Sequence, residues 1–344
     1  MIVRREDGAG GKYMSEFLKK YVFPKISSKA GEIALEDMED SADFSENFVL
    51  TTDSYTVKPP LFRGGSIGSL AVCGTANDLA VVGAKPSYMS LSLIVQEGFE
   101  IEKLERIMED ISKAKDEVGV KVITGDTKVV EANIEIFINT TGVGERSEEL
   151  EENLEAVRSY REYPFRWIRD KGAKEGEAVI VSGNVAEHGL TILLERESLN
   201  FEIDVSSDVY PVWKFVRKAL KVGGITSMKD PTRGGLANAL NEIAEKSGVG
   251  ILVEEEKIPI REDVKFVCET LGIDPLSMAN EGKVVMTVVK DLADEVLQVL
   301  KKFDENAEII GYTTKEFSEV VMKTRIGTMK VVPPPVMDPV PRVC

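Results

Sequence analysis

The chemistry this sequence could do starts from a thiol. Its final stretch, "VVPPPVMDPVPRVC" (331–344), holds five prolines in 14 residues and stops on Cys344. A thiolate is a nucleophile and a group carrier, and a free thiol ionises near about pH 8.5. The α-carboxylate on Cys344 disfavours a second negative charge while Arg342 favours it, so the thiol is not strongly activated on its own. Proline fixes φ and lacks an N–H, so the segment reads as a flexible but extended polyproline arm of roughly 40 Å. Such an arm can carry a thiol to a partner's site or back into a pocket of its own protein. The plainer alternative is that some residue must come last.

A second set is acidic. Asp40, Asp53, Asp78 and Asp126 each stand beside small or hydroxyl residues near strand or helix ends. Carboxylates brought together from several turns make an oxygen site for Mg²⁺ on nucleotide phosphates. Each aspartate taken singly is as readily a helix cap or an Asx-turn. "DGAGGKYM" (7–14) offers Gly8, Gly10 and Gly11 for close backbone approach to a phosphate, without the spacing of a Walker A loop. "KDPTRGGLANAL" (229–240) opens a helix with Arg233 beside two glycines. It is either an anion cradle or a structural Asp230–Arg233 pair with a cap. "GDTKVV" (125–130) and "ANEGKVV" (279–285) set Lys128 and Glu281 at the mouths of apolar strands, as a phosphate or carbonyl contact and a general base, or as solvated strand-edge charges. His188 is the only histidine and reads as structural, at a loop-to-helix junction.

Composition narrows the field. The net charge of −16 over 344 residues argues against nucleic acid and anionic membrane as partners. One histidine and three scattered cysteines cannot build an ordinary zinc site, so a metal here is expected on carboxylates. No apolar run is long enough to span a bilayer, and the first residues lack a signal-peptide core. A soluble, cytoplasmic protein is therefore expected.

These residues need a frame. "NFVLTTD" (47–53) reads as a strand. "SIGSLAVCGTANDLAVVGA" (66–84) reads as a buried small-residue helix carrying Asn77 and Asp78. "IEKLERIMEDISKAKDEVG" (101–119) is an amphipathic helix with Ile101, Leu104, Ile107, Met108 and Ile111 on one face. "VKVITGD" (120–126) is a strand running into a Gly-Asp turn, and "NIEIFINTTGVG" (133–144) is a half-buried strand. The charged stretch 145–167 is a helix or linker outside the two cores. A second cycle follows, with strands at "EAVIVSG", "VGILVEE", "KVVMTVV", "AEIIGYTT" and "EVVMKT" and helices between them. The mixture is α+β. The expected division is 1–145, an N-terminal domain; 146–170, a charged linker; 171–330, a C-terminal α+β domain; and 331–344, a mobile tail.

Taken together, "DGAGG", "TTDSYTVKP", "GTANDLAVVGA", "TGDTKVV", "KDPTRGGLANALNEIA", "ANEGKVV" and "DPVPRVC" resemble the HypE family of hydrogenase maturation proteins, nearly from end to end. Several also resemble the wider aminoimidazole ribonucleotide synthetase superfamily, which includes selenophosphate synthetase and thiamine-monophosphate kinase. The terminal Pro-Arg-x-Cys separates HypE from those relatives.

The resemblance implies a two-domain fold whose N-terminal domains share a β-barrel in a homodimer, with ATP and Mg²⁺ at the dimer interface. It implies Asp40, Asp78 and Asp126 as metal residues. It implies Gly8, Gly10, Gly11, Asp53, Asn77, Asp78, Asp126 and Arg233 around the nucleotide, and Cys344, Lys128 and Glu281 as catalytic residues. The implied reaction begins when HypF carbamoylates Cys344. ATP-dependent dehydration then gives a thiocyanate, whose cyanide passes to iron on a HypC–HypD complex. The sequence departs from the family's pattern at 145–169, at Arg63 and Ser66, and at Ser41 and Asp43. A relative acting on an external small molecule would not need Cys344, and an adaptor docking through its prolines would not turn over ATP.

Overall fold

Two mixed sheets carry the chain in the computed structural model, which describes residues 2–8, 10–131, 133–199, 201–340 and 342–344. Ala9 of the glycine loop and Pro341 of the tail lie outside the described residues. The first sheet contains β1 (Phe48–Tyr55), β2 (Ala84–Gln96), β3 (Lys121–Val130) and β4 (Ile136–Arg146), in the order β1-β4-β2-β3, with a two-residue strand, Ala42–Asp43, outside β1. Its pairings are antiparallel except β2 with β3. That parallel step is made by the helix between them, α2 (Ile101–Val118), because parallel neighbours need a crossover.

Alternation sets the buried face. Ile136 and Ile138 of β4 point inward, as their period of two requires. They pack beneath α1 (Ile67–Val81), which is buried almost all round and rich in small residues. Ser66 caps α1, its Oγ accepting from Gly68 N at 3.2 Å, which accounts for one of the departures in the sequence. Another is Asp43, whose carboxylate accepts from the amides of Glu32 and Ile33 at 2.8 and 2.7 Å. In α2 the buried face is Ile107, Ile111, Ala114 and Val118; Ile101 and Met108, expected on that face, are exposed. The stripe therefore lies further towards the helix C-terminus than its first turn suggested.

The stretch expected to lie outside both cores does the opposite. α3 (Glu148–Tyr160) starts at Ser147, whose Oγ accepts from Leu150 N, and buries Leu150, Leu154 and Val157 completely. Three such side chains contribute about 2 kcal/mol each. Between them, Asn153 donates to and accepts from the backbone of Ile225, both at 2.8 Å, tying the linker to the second sheet.

That second sheet holds β5 (Ala178–Val181), β6 (Ile225–Lys229), β7 (Gly250–Glu254), β8 (Val285–Val288), β9 (Glu308–Thr314), β10 (Val320–Lys323) and β11 (Met329–Val331), in the order β11-β10-β7-β9-β5-β8-β6. The chain also forms α4 (Glu187–Arg196), α5 (Trp213–Val222), α6 (Gly235–Ser247), α7 (Glu262–Leu271) and α8 (Ala293–Leu300). β5, β6 and β8 are buried at every position, so burial does not alternate along them; β5 is an unbroken apolar run, whereas β6 carries Thr226, Ser227 and Lys229, whose polar groups are met by partners inside the fold. No helix among the described residues is long and apolar enough to cross a membrane.

The tail does not extend away. Val340 and Val343 are buried. Thr56 N donates to Cys344 O and Lys58 N to Arg342 O, so residues 342–344 run antiparallel to the chain leaving β1.

Candidate active site

The site lies where the two sheets' loops meet. The end of α1 delivers Asp78, the segment before β1 delivers Asp40, and the residue after β6 is Asp230. One carboxylate oxygen from each lies within 4.8 Å of the other two. Burial first and neighbouring carboxylates second push all three upward: Asp40 to about 6, where Asp170 and Glu242 add to burial and Lys229 opposes it; Asp230 to about 8, with Asp40 and Asp53 adding; and Asp78 well above the carboxylate range, with Asp230, Asp53 and Asp40 adding. Thr51 Oγ1 donates to Asp78 at 2.9 Å. Lys229 Nζ reaches Asp40 at 2.6 Å, Glu242 at 3.0 Å and Asp170 at 3.4 Å. A cluster of hard oxygens short of positive charge fits a divalent cation such as Mg²⁺.

The third metal residue expected was Asp126, and the geometry places it elsewhere. β3 runs straight through Gly125 and Asp126 instead of turning, paired in parallel with β2. Tyr55, Ile138, Leu93 and Thr127 form one row across the sheet. Three strand spacings, about 14 Å, therefore separate the end of β1 from β3. Asp126 and Lys128 are exposed there and pair with each other at 2.7 Å. Neither joins the carboxylate cluster of its own chain.

Asn77 is at the site, with both amide hydrogens and one oxygen lone pair engaged by the protein. Its amide donates to the carbonyls of Tyr210 and Glu281 at 3.1 and 3.0 Å and accepts from Val212 N at 2.9 Å. It staples two loops together, where a nucleotide contact was expected.

The cradle at the start of α6 is filled by the protein itself. Asp338 of the tail accepts from Gly234 N at 2.9 Å through Oδ2 and from Val340 N at 2.8 Å through Oδ1. Helix amides at an N-terminus attract an anion, and here that anion belongs to the tail. Arg233 remains turned towards the site, 4.0 Å from Asp53. The acidic groups around it, Cys344 first and then Asp53, Glu281 and Asp338, favour its charged form and hold its pKa above the usual value against the cost of burial. The glycine loop closes over this corner. A Cβ on Gly10 would stand 3.1 Å from Arg233 Cβ, and one on Gly11 would stand 2.5 Å from the Pro335 carbonyl, both at positive φ. Only glycine lets the backbone come this close in that conformation. Gly8 is exposed and makes no such approach.

Cys344 thus docks beside Arg233, Glu281 and Asp53. Burial pushes its thiol far above the usual range, Arg233 opposes this, and Glu281 adds to it. Glu281 is buried, and its own pKa is raised well above the usual value, by burial first and then by Asp230, Asp208 and Asp53. Its Oε1 has no hydrogen-bond partner among the described residues. His188, on the first turn of α4, donates from Nε2 to the Val343 carbonyl at 2.8 Å, and its Nδ1 lies 2.7 Å from Ser207 Oγ.

Of the residues picked from sequence, Gly10, Gly11, Asp40, Asp53, Asp78, Arg233, Glu281 and Cys344 converge. Sequence reasoning missed Lys229 and Asp338, and took Asp230 for a cap. The one signal for Asp230 was its place beside Lys229 at a strand end.

This architecture is that of the AIR synthase related proteins. The models of that family's N-terminal and C-terminal domains match residues 38–146 and 174–323. The carbamoyl dehydratase HypE of Rhizobium leguminosarum bv. viciae is 39% identical, over 98% of this chain and 93% of its own. A crystal structure of a HypE–HypF complex superposes with a TM-score of 0.82 at 40% identity, over 94% of this chain and 99% of that one. A HypE structure in complex with ATP gives 0.79 at 36% identity, over 100% of both chains. Within the class, the chain belongs to the HypE family of carbamoyl dehydratases.

Proposed function

We propose that this protein, a carbamoyl dehydratase of hydrogenase maturation, works on a carbamoyl group carried by its own Cys344 and turns it into a thiocyanate. The observation that supports this most directly is the docked tail, whose Val343 carbonyl and Cys344 carbonyl are hydrogen-bonded to His188 and Thr56, which sets Cys344 within the electrostatic reach of Arg233 and of Glu281, whose Oε1 is buried without a hydrogen bond. The buried thiol is protonated and shielded, so loading takes place with the tail out, on a HypF-type carbamoyl transferase. The loaded tail then returns.

Going from S–C(=O)–NH₂ to S–C≡N removes one oxygen and two protons. The oxygen is a poor leaving group until it is phosphorylated, which is the use of ATP. Arg233 and the loop at Gly10–Gly11 face the incoming phosphate. Asp40, Asp78 and Asp230 would hold Mg²⁺, which supplies charge neutralisation at the phosphates. One N–H proton is released to solvent as the carbamoyl oxygen takes the phosphoryl group and the C=N bond forms, and Glu281 takes the second; its raised pKa makes its carboxylate a stronger base than an exposed one. Phosphate departs with the oxygen. The cyano group is then available to an iron-carrying partner of the HypC–HypD kind.

Lys128 and Asp126 act across a homodimer in this reading. β3 is exposed along almost its whole length, including Val122, Ile123 and Val129, as suits a strand completed by a second copy. Lys128 stands too far along the sheet to reach the thiol of its own chain.

The test is the mass of the C-terminal peptide after loading by the transferase. A carbamoyl adduct on Cys344 that loses the mass of one water only when ATP and Mg²⁺ are supplied is the expected result. An unmodified peptide, or a loss of water without ATP, overturns the reading. Glu281→Gln should load normally and fail to dehydrate.

A further inference from the structure

We infer that His188 exchanges partners as the tail docks, its Nε2–H serving the Val343 carbonyl when Cys344 is in the site and the Glu281 carboxylate when the tail is away. The inference rests on Glu281 being the base. It concerns how that base is controlled.

The tautomer follows from the contacts. A carbonyl only accepts, so the 2.8 Å contact with Val343 O puts the proton on Nε2. Nδ1 is then an acceptor, and Ser207 Oγ donates to it at 2.7 Å while accepting from Val209 N at 3.2 Å. The ring is completely buried and held edge-on against Phe62, with centroids 5.6 Å apart. Its position is therefore set from two sides, and only its outer N–H has a choice of partner.

The second partner is already adjacent. Glu281 Oε1 lies 4.0 Å from His188 Nε2 and is buried without a hydrogen bond. Removing residues 342–344 would leave the Nε2–H without its present acceptor and next to this oxygen. A small torsion of Glu281 would close the gap, and two unsatisfied groups would satisfy each other. Docking reverses the exchange. The tail's carbonyl takes the N–H, and the carboxylate oxygen is left bare at the moment its substrate arrives. A base that is hydrogen-bonded while idle and released by the substrate's own backbone is kept from premature proton traffic.

The other charged groups facing the pair are Asp208 towards His188, and Asp230, Asp208, Asp53 and Arg233 towards Glu281; Glu187 adjoins His188 in the chain. With the tail docked, burial keeps the imidazole below its usual pKa. With the tail out, a carboxylate at hydrogen-bonding distance favours the imidazolium and raises it.

The sequence contains one histidine, so the imidazole signals of the tag-free full chain report this residue alone. We would titrate them by NMR in the wild type and in a chain with both Val340→Lys and Val343→Lys. Two lysines cannot re-enter the buried sites, and any that lingered nearby would lower the histidine pKa. The expected result is an Nε2–H tautomer in the wild type and a rise of about one to two pH units in the double variant. Adding Glu281→Gln should remove most of the rise and leave only the part that relief of burial supplies. An unmoved pKa, or a rise of the same size with and without Glu281→Gln, overturns the exchange. Dehydration assays judge the role of Glu281 separately: an exchange seen in a chain whose Glu281→Gln variant still dehydrates would retire the base and keep the exchange.

Discussion

Lys229 Nζ sits 2.6 Å from Asp40 Oδ1, in a group that also holds Asp170, Glu242 and a second cation, Lys246, 2.7 Å from Asp170. The lysine is almost wholly buried, and Asp170, Asp40 and Glu242 hold its pKa well above the usual value despite that burial. Removing it leaves the buried Asp40 carboxylate without its cation, while Asp170 keeps Lys246. Lys229→Met should cost about 3–5 kcal/mol of stability at neutral pH. Because the cluster next to it is then more negative, Mg²⁺ should restore part of the loss. Urea unfolding with and without Mg²⁺ checks both points. A variant as stable as the wild type would show that Asp40 had been neutral.

Asn77 offers a way to separate a structural role from a nucleotide contact. Its side chain makes three hydrogen bonds that join the end of α1 to the 210–212 loop and to Glu281. Each is worth about 1 kcal/mol net, and their partners are buried. Asn77→Ala should therefore lower stability by about 2–4 kcal/mol. ATP affinity, measured well below the variant's unfolding temperature, should fall only slightly. A stable variant with greatly weakened ATP binding would return Asn77 to the nucleotide.

Lys128 tests the second copy. On its own chain it lies about 14 Å along the sheet from the strand leading to Thr56 and Cys344. A Lys128→Ala chain and a Cys344→Ala chain should each fail alone, since one lacks the lysine and the other the carrier. Mixed in equal amounts after reversible dissociation, they should regain up to about half of wild-type dehydration per Cys344, through dimers in which an intact Lys128 faces an intact Cys344. No recovery, with mixed dimers shown to form, would place Lys128 in cis or outside the reaction.

The frame was readable where a face repeats. β1, β4 and α2 follow from periods of two and of about 3.6 residues, and α1 from an unbroken run of small and apolar residues. Long β2 had the same cue in Met89, Leu91, Leu93 and Val95, but Pro86 and the serines among them blur it. At Gly125–Asp126 a turn signal was overridden by parallel pairing with β2 at a sheet edge, where a glycine is tolerated. The charged helix α3 hid its role because three buried residues on one side are enough to dock it. In the site, the aspartates and Cys344 stood out through their motifs. Lys229 did not, because a lysine at a strand end ordinarily reaches water, and its burial depends on Asp40 and Asp170, which are 189 and 59 residues away in sequence. Asp338 was likewise read only as part of a proline-rich arm. That its carboxylate fills the cradle before α6 depends on a fold-back that no local pattern encodes.

Asp338 gives tail docking a pH dependence whose sign can be worked out. In the docked state burial raises its carboxyl to about 6, although the amides of Gly234 and Val340 favour the anion. Away from the site it would titrate near its usual value of about 4. The docked form thus holds a proton more firmly. Docking should be tightest below about pH 4, weaken as pH rises from about 4 to 6, and level off above that. Cys344 adds a second loss at alkaline pH, since its buried thiol resists an ionisation that the free tail allows. Exposure of the tail can be followed at fixed pH values by limited proteolysis after residue 330, with a protease active across the range. Asp338→Asn should abolish the step between about pH 4 and 6 and leave the alkaline loss in place. A step that persists in Asp338→Asn would assign it to another group, and a docked population that grows from about pH 4 to 6 would reverse the sign argued here.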